Sequence, residues 1–173
     1  MWGWSPMDGT FGTGTPQYLK HAKEQGVRIV CVDPRRHRSS KVLADEHIFI
    51  RPSTDAAPLI AMAYVVLTEE LHDQAYLDRY VQGFDEHTLP EGAPKGGSYR
   101  AYLLGEEDGI PKTPEWAAEI CGIPAETIRR LAIEFGSTKP AALHCGYAPG
   151  RTLHGEQFHR AAYALAAMTG NIG

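Results

Sequence analysis

Two aspartates and a run of arginines carry the strongest chemistry in this sequence. Asp33 opens Asp33-Pro34-Arg35-Arg36 directly after the β-branched run Val27-Arg28-Ile29-Val30-Cys31-Val32. At the carboxyl tip of a strand, such an acid can accept hydrogen bonds from ribose hydroxyls, although Asp-Pro also serves simply to begin a turn. Arg35, Arg36 and Arg38 offer planar guanidinium forks suited to phosphate or carboxylate partners, or else form a solvated basic loop. Asp55 ends Arg51-Pro52-Ser53-Thr54-Asp55. That position suits a helix N-cap. A carboxylate can also accept two parallel hydrogen bonds from guanine, which offers N1–H and an exocyclic amine. Adenine cannot supply that pair, so an aspartate in ligand contact here selects a guanine nucleotide.

A glycine-rich stretch, Gly9-Thr10-Phe11-Gly12-Thr13-Gly14, precedes a helical segment and can present backbone N–H groups to a phosphate. Gly12 and Gly14 fit the first two glycines of the dinucleotide fingerprint, but Gln17 stands at the third. Together with Asp33 they leave an NAD-binding domain as a rival reading. A non-catalytic domain whose loops bind a protein partner is a second rival. Of the 8 histidines, only His144, His154 and His159 cluster, at spacings unsuited to one helical face. No metal site is expected from this chain alone. Cys31, Cys121 and Cys145 lie far apart with no C-x-x-C pair, which excludes a zinc ribbon or a cysteine-ligated cluster built by these residues. No nucleophile elbow occurs, so hydrolase chemistry has no support.

The elements that must position these residues alternate along the chain. A helix is expected from about Thr15, the N-cap, to Gln25, stopped by Gly26. The strand Val27–Val32 follows, then a weak helical patch at 38–44 and a second strand at 47–50. Thr54 or Asp55 caps a helix over 56–69 that is apolar nearly all round and therefore buried. Another helix spans 73–81. Residues 83–114 are dense in Gly and Pro and form an excursion loop. Helices resume at Thr113-Pro114 and over 124–136, ending at Gly136. A third strand covers Ala141–Cys145, followed by a loop from Gly146 and an alanine-rich helix over 155–168. This order predicts an α/β domain with a three-layer, Rossmann-like parallel sheet. Four loops then share the carboxyl edge of the sheet: 3–14, 33–38, 51–55 and 146–154.

The 173 residues are 43% hydrophobic and carry a net charge of −4. Disorder is excluded by the apolar content, and a basic nucleic-acid scaffold by the charge. No run approaches 18 apolar residues, so no segment is expected to enter a membrane. No charged n-region with an apolar h-region is visible. The opening Met1-Trp2-Gly3-Trp4-Ser5-Pro6 and the closing Thr169-Gly170-Asn171-Ile172-Gly173 suggest an internal fragment of a larger protein.

Taken in order, several short stretches resemble the molybdopterin oxidoreductases of the dimethyl sulfoxide reductase family. They are Trp2-Gly3-Trp4-Ser5-Pro6, Val32-Asp33-Pro34-Arg35, Ala44-Asp45, Ile50 to Ala57, Gly83 to Pro90, Gly146 to Arg151, Gly155-Glu156-Gln157 and the closing Thr169 to Gly173. The resemblance implies that Trp2, Gly3, Ser5 and Pro6 touch the cofactor, with Ser5 where the family has asparagine. It implies that Asp33, Pro34 and Arg35 line the nucleotide end of a molybdopterin guanine dinucleotide. By the same resemblance Asp55 pairs with its guanine, with Ser53 in place of the usual glycine. Gly146 and Arg151 would approach the second part of the site. The family's metal ligand, any iron–sulfur cluster cysteines and any twin-arginine signal would lie upstream of these motifs, and a C-terminal domain would complete the site. The chain alone is therefore expected to be inactive. The implied parent reduces an S- or N-oxide by two-electron oxygen-atom transfer. Its implied partners are an iron–sulfur electron-transfer subunit and a membrane-anchor subunit, on the periplasmic side of a bacterial envelope.

Overall fold

A computed structural model describes residues 1–8 and 14–172. Helix α1 covers Thr15–Glu24, with Pro16 in its first turn and Gly14 rather than Thr15 at the cap. The expected stop is present. Gly26 takes φ +86, and the Val27 N–H reaches back 3.0 Å to the Ala22 carbonyl. This closing turn claims Val27, which is exposed, and so strand β1 is only Val30–Val32 rather than Val27–Val32.

Helix α2 (Arg38–Val42) leads to β2 (Glu46–Ile48), which pairs parallel with β1, Val30 opposite Glu46 and Val32 opposite Ile48. The third expected strand is reduced to one position. Cys145 forms a parallel bridge with Trp2, and Trp2 forms another with Val32. The spatial order is thus Cys145, Trp2, β1, β2, all parallel. The described sheet is smaller than a three-layer Rossmann-like domain requires, and helices dominate.

Helix α3 (Ala56–Thr68) is the hub, as its continuous apolar character requires. Leu59, Ala61, Ala63, Val65 and Val66 are fully buried. Around α3 pack α5 (Tyr99–Leu104), α6 (Pro114–Cys121), α7 (Ala125–Ser137) and α8 (Glu156–Met168), while α4 (Gln74–Tyr80) lies against α8. At roughly 25 cal/mol per Å² of apolar surface, enclosing α3 on all sides is the main hydrophobic contribution in the chain.

Three expectations need correction. The 83–114 excursion contains α5, capped by the Ser98 hydroxyl, which accepts from the Ala101 N–H, and anchored by the buried Phe84 and Leu103. Helix α7 does not end at Gly136. That glycine lies inside the helix, where a Cβ would press on Leu71 at 3.0 Å, so it serves close packing rather than termination. Neither Thr54 nor Asp55 caps α3 with its side chain. The Thr113 cap of α6 does form, its hydroxyl accepting from the Trp116 N–H.

Candidate functional site

The carboxyl ends of the four parallel segments run into residues 3–8, 33–37, 49–55 and 146–151, and hydrogen bonds join these loops. The Trp2 N–H donates to the His144 carbonyl at 2.8 Å, the Gly146 N–H to the Trp2 carbonyl at 2.8 Å, and the Gly3 N–H to the Val32 carbonyl at 2.9 Å. Gly3 holds φ +56, and a Cβ there would meet the Pro149 ring at 2.6 Å. A Cβ on Gly146 would fall on the Gly3 carbonyl. Glycine is required at position 146 because two backbone segments cross there at contact distance, and at position 3 it is favoured by the positive φ and the Pro149 ring. The fourth and the first segments of the chain therefore interlock beside the point where the strand order reverses, the usual ligand crevice of an open parallel sheet.

Asp55 occupies the N-cap position just before α3, with helical backbone angles, φ −61 and ψ −28. In that conformation its carboxylate does not turn back onto the N–H groups of the first turn. It accepts instead from the Trp2 indole Nε1–H at 2.9 Å. Asp55 is only 7% exposed, and burial pushes its carboxyl above the ordinary range, with the nearby Asp33 adding to the rise. A carboxylate offers about four lone-pair sites, so acceptor capacity remains for a ligand that brings N–H donors.

Asp33 is tied down locally. Its Oδ1 accepts from the Arg35 N–H at 2.9 Å, and its Oδ2 lies 3.6 Å from His37 Nε2. Asp33 thus builds the turn that Asp-Pro predicts and stands at the carboxyl end of β1. Pro34, Arg35 and Arg36 are exposed. His37 is buried, and its Nδ1 accepts from the Ser40 N–H at 3.2 Å, which places the ring proton on Nε2, facing Asp33 and the Cys31 thiol 3.7 Å away. Burial raises the thiols of Cys31 and Cys145 to about 11, so neither serves as a nucleophile near neutrality.

Ser5 and Pro6 sit on α2 through Ser39, whose hydroxyl lies 3.0 Å from Ser5 Oγ and accepts from the Met7 N–H at 2.8 Å. The Ser5 hydroxyl also donates to Asp8 at 2.6 Å. Trp4 stacks on His144 at 5.4 Å. Arg51 is committed to the fold, its N–H donating to the Cys121 carbonyl and its guanidinium to the Glu119 carbonyl at the end of α6. Arg151 ends a 3₁₀ turn (Pro149–Arg151) with its side chain exposed. The phosphate-loop expectation on Gly12 lies outside the described residues. Among the described residues no group of three His, Cys, Asp or Glu side chains could hold a metal ion.

Sequence reasoning did not find Trp2 as the partner of Asp55, nor His37 and Ser39 as the polar supports of the edge. His37 caps α2 through its ring Nδ1, which accepts the Ser40 backbone N–H, a role that the usual cap residues do not signal.

A sequence model described as Molybdopterin oxidoreductase matches residues 14–173. The chain is 50% identical over 164 residues to dimethyl sulfoxide reductase DmsA of Escherichia coli (strain K12), covering 94% of this chain and 20% of that protein. It is 42% identical over 157 residues to the dimethyl sulfoxide/trimethylamine N-oxide reductase of Cereibacter sphaeroides, covering 90% of this chain and 17% of that one. Acetylene hydratase from Pelobacter acetylenicus shares the fold with a TM-score of 0.72 and 25% identity, over 90% of this chain and 19% of its own. The chain thus spans about one fifth of the length of the curated relatives it matches.

Proposed function

The chain belongs to the molybdopterin oxidoreductase family, and on that premise we propose that it holds the guanine-nucleotide end of a molybdopterin guanine dinucleotide within a larger reductase. The observation that carries this reading is Asp55, a buried carboxylate at the carboxyl edge of the parallel segments, bonded to a neutral donor and not to its own helix. Guanine brings the two adjacent N–H donors that such a group lacks. Asp33 and Arg35 stand on the neighbouring loop, where Asp33 would meet ribose hydroxyls and the exposed Arg35 a phosphate. Gly146 fixes the path of the loop that carries Arg151 toward the second half of the cofactor. Trp2, Gly3, Ser5 and Pro6 form the wall between them.

We read β1, β2 and the two bridged segments as one face of a three-layer, Rossmann-like sheet that the rest of the enzyme completes. When bound, the molybdenum cofactor supplies two-electron oxygen-atom chemistry; this chain supplies binding and orientation. The substrate class we propose is an S- or N-oxide, because two relatives are named as dimethyl sulfoxide or trimethylamine N-oxide reductases. The fold alone does not choose the reaction, since a structural neighbour is named as a hydratase. An iron–sulfur cluster upstream, an iron–sulfur electron-transfer subunit, a membrane anchor and a periplasmic-side location in the bacterial envelope follow from the same reading.

The NAD-binding reading is weaker, because the matching family model and the similar proteins are molybdopterin oxidoreductases and Gln17 stands where the dinucleotide fingerprint needs its third glycine. Elemental analysis of the full-length parent, with acid release of its nucleotide, tests the proposal. Molybdenum with GMP is the expected result, together with reduction of dimethyl sulfoxide by a viologen donor. Released NAD without molybdenum would overturn it.

A further inference from the structure

The Trp2 indole is rigid for reasons that lie outside any ligand. Its backbone is bonded on both sides, to the His144 carbonyl and from the Gly146 N–H, and its ring is 3% exposed and packed 6.2 Å from Phe158. Burial to this degree leaves it little surface with which to touch a cofactor. Its one polar atom, Nε1–H, is spent on Asp55 across 53 residues of sequence. An indole is a donor only and carries no charge. It can therefore fix a carboxylate oxygen without neutralising the anion, as an arginine or lysine would.

We propose that Trp2 is a positioning residue, whose indole N–H sets the Asp55 carboxylate in the orientation that accepts the paired donors of a guanine ring. This rests on the guanine reading above and reassigns Trp2 from a cofactor contact to the support of one. A carboxylate without this bond can rotate, and paired hydrogen bonds demand alignment of both oxygens at once. Losing the bond should thus lower selectivity for guanine more than it lowers nucleotide binding in general.

The test uses the full-length parent stripped of its cofactor, with GMP and IMP as competing probes. Inosine lacks the exocyclic amine and so makes one of the two bonds. The wild-type enzyme should prefer GMP by about one to two orders of magnitude, the worth of one hydrogen bond to a charged group. Trp2→Phe stays aromatic but removes the donor and some bulk, so its melting temperature falls, and among folded molecules its preference for GMP over IMP should fall toward unity. Should Phe disturb folding, β-(3-benzothienyl)alanine at position 2 replaces only the N–H by sulfur. In an Asp55→Asn background, either change at position 2 should have no further effect on selectivity. Equal weakening of GMP and IMP by Trp2→Phe would overturn the proposal and leave Trp2 as packing. Undiminished GMP preference in Asp55→Asn, with Trp2 intact, would instead overturn the guanine reading itself, and the role of Trp2 with it.

Discussion

The two ends of the parallel segments treat their carboxylates in opposite ways. At the amino end, Glu46 pairs with Arg28 and with Arg130, the latter at 2.5 Å, and Glu134 pairs with the same two arginines. Beside them Asp45 meets Lys23 at 2.7 Å and accepts from the Ile29 N–H at 2.8 Å. These acids are half-exposed and matched by cations. At the carboxyl end, Asp55 is buried, its described side-chain donor is a neutral indole, and Asp33 is the charge that bears on it. The first arrangement ties strands to α7 and satisfies itself. The second leaves a buried anion short of donors, an unfavourable state for an isolated domain and a useful one for a ligand that brings them. On the proposed reading, the end that binds is the one where the fold leaves a carboxylate unmatched.

The largest expected effect falls on the interlock that builds the carboxyl end. Gly146→Ala drives a methyl into the Gly3 carbonyl, and overpacking of backbone on backbone should cost about 3 kcal/mol. Urea denaturation of the chain measures it, and an unchanged midpoint would show that the two loops can separate freely.

The contrast in pH dependence is next. Burial holds Asp55 above its ordinary value of 3.8, so between those two values the folded chain binds a proton that the unfolded chain does not, and stability falls as pH rises through that window. Asp55→Asn should remove this loss, so the variant gains on wild type as pH rises. Asp45 is held below 3.8, chiefly by Lys23 and then by the Ile29 N–H. Its contribution is present above the ordinary value and is lost as pH falls through the depressed one. Asp45→Asn should therefore lose most at neutral pH and converge on wild type in acid. Thermal melts from acid to neutral pH give both slopes, and equal slopes would erase the contrast.

At the amino end, Glu46→Gln should lower stability by about 1 kcal/mol or less, with the difference shrinking in high salt. A salt-independent loss would mean that packing, not charge, is at work there. Smallest of all is Ser53→Gly. Ser53 holds φ +67, where a side chain is strained by about 1–2 kcal/mol and glycine is not. The greater freedom of unfolded glycine offsets part of that, so a gain under about 1 kcal/mol is expected in a denaturant titration. A loss would show that the Ser53 side chain supports the loop.

What was legible in the sequence was local. Gly26 stops α1, Thr113 caps α6, and the unbroken apolar character of Leu59 to Leu67 marks the buried hub, because each depends on residues within a turn or two. The placement of Asp33 at a strand tip and of Asp55 at the start of α3 was legible for the same reason. That Asp55 would accept from Trp2 was not, since Trp2 is brought to it by strand order and not by spacing. The shortened strands have a similar cause. Val27 is consumed by the turn that ends α1, and residues 141–145 join the sheet only at Cys145. Helix α5 was hidden by its six-residue length among glycines and prolines.

The most direct measurement of the central claim compares the two ends in one experiment. GMP released per molecule of the full-length parent is determined for wild type, Asp55→Asn and Glu46→Gln. Asparagine at position 55 turns one acceptor into a donor facing a donor, and loss of a charged hydrogen bond of roughly 1.5–3 kcal/mol corresponds to about one to two orders of magnitude in cofactor retention. The account predicts that loss for Asp55→Asn and wild-type content for Glu46→Gln. Full GMP content in Asp55→Asn would contradict it.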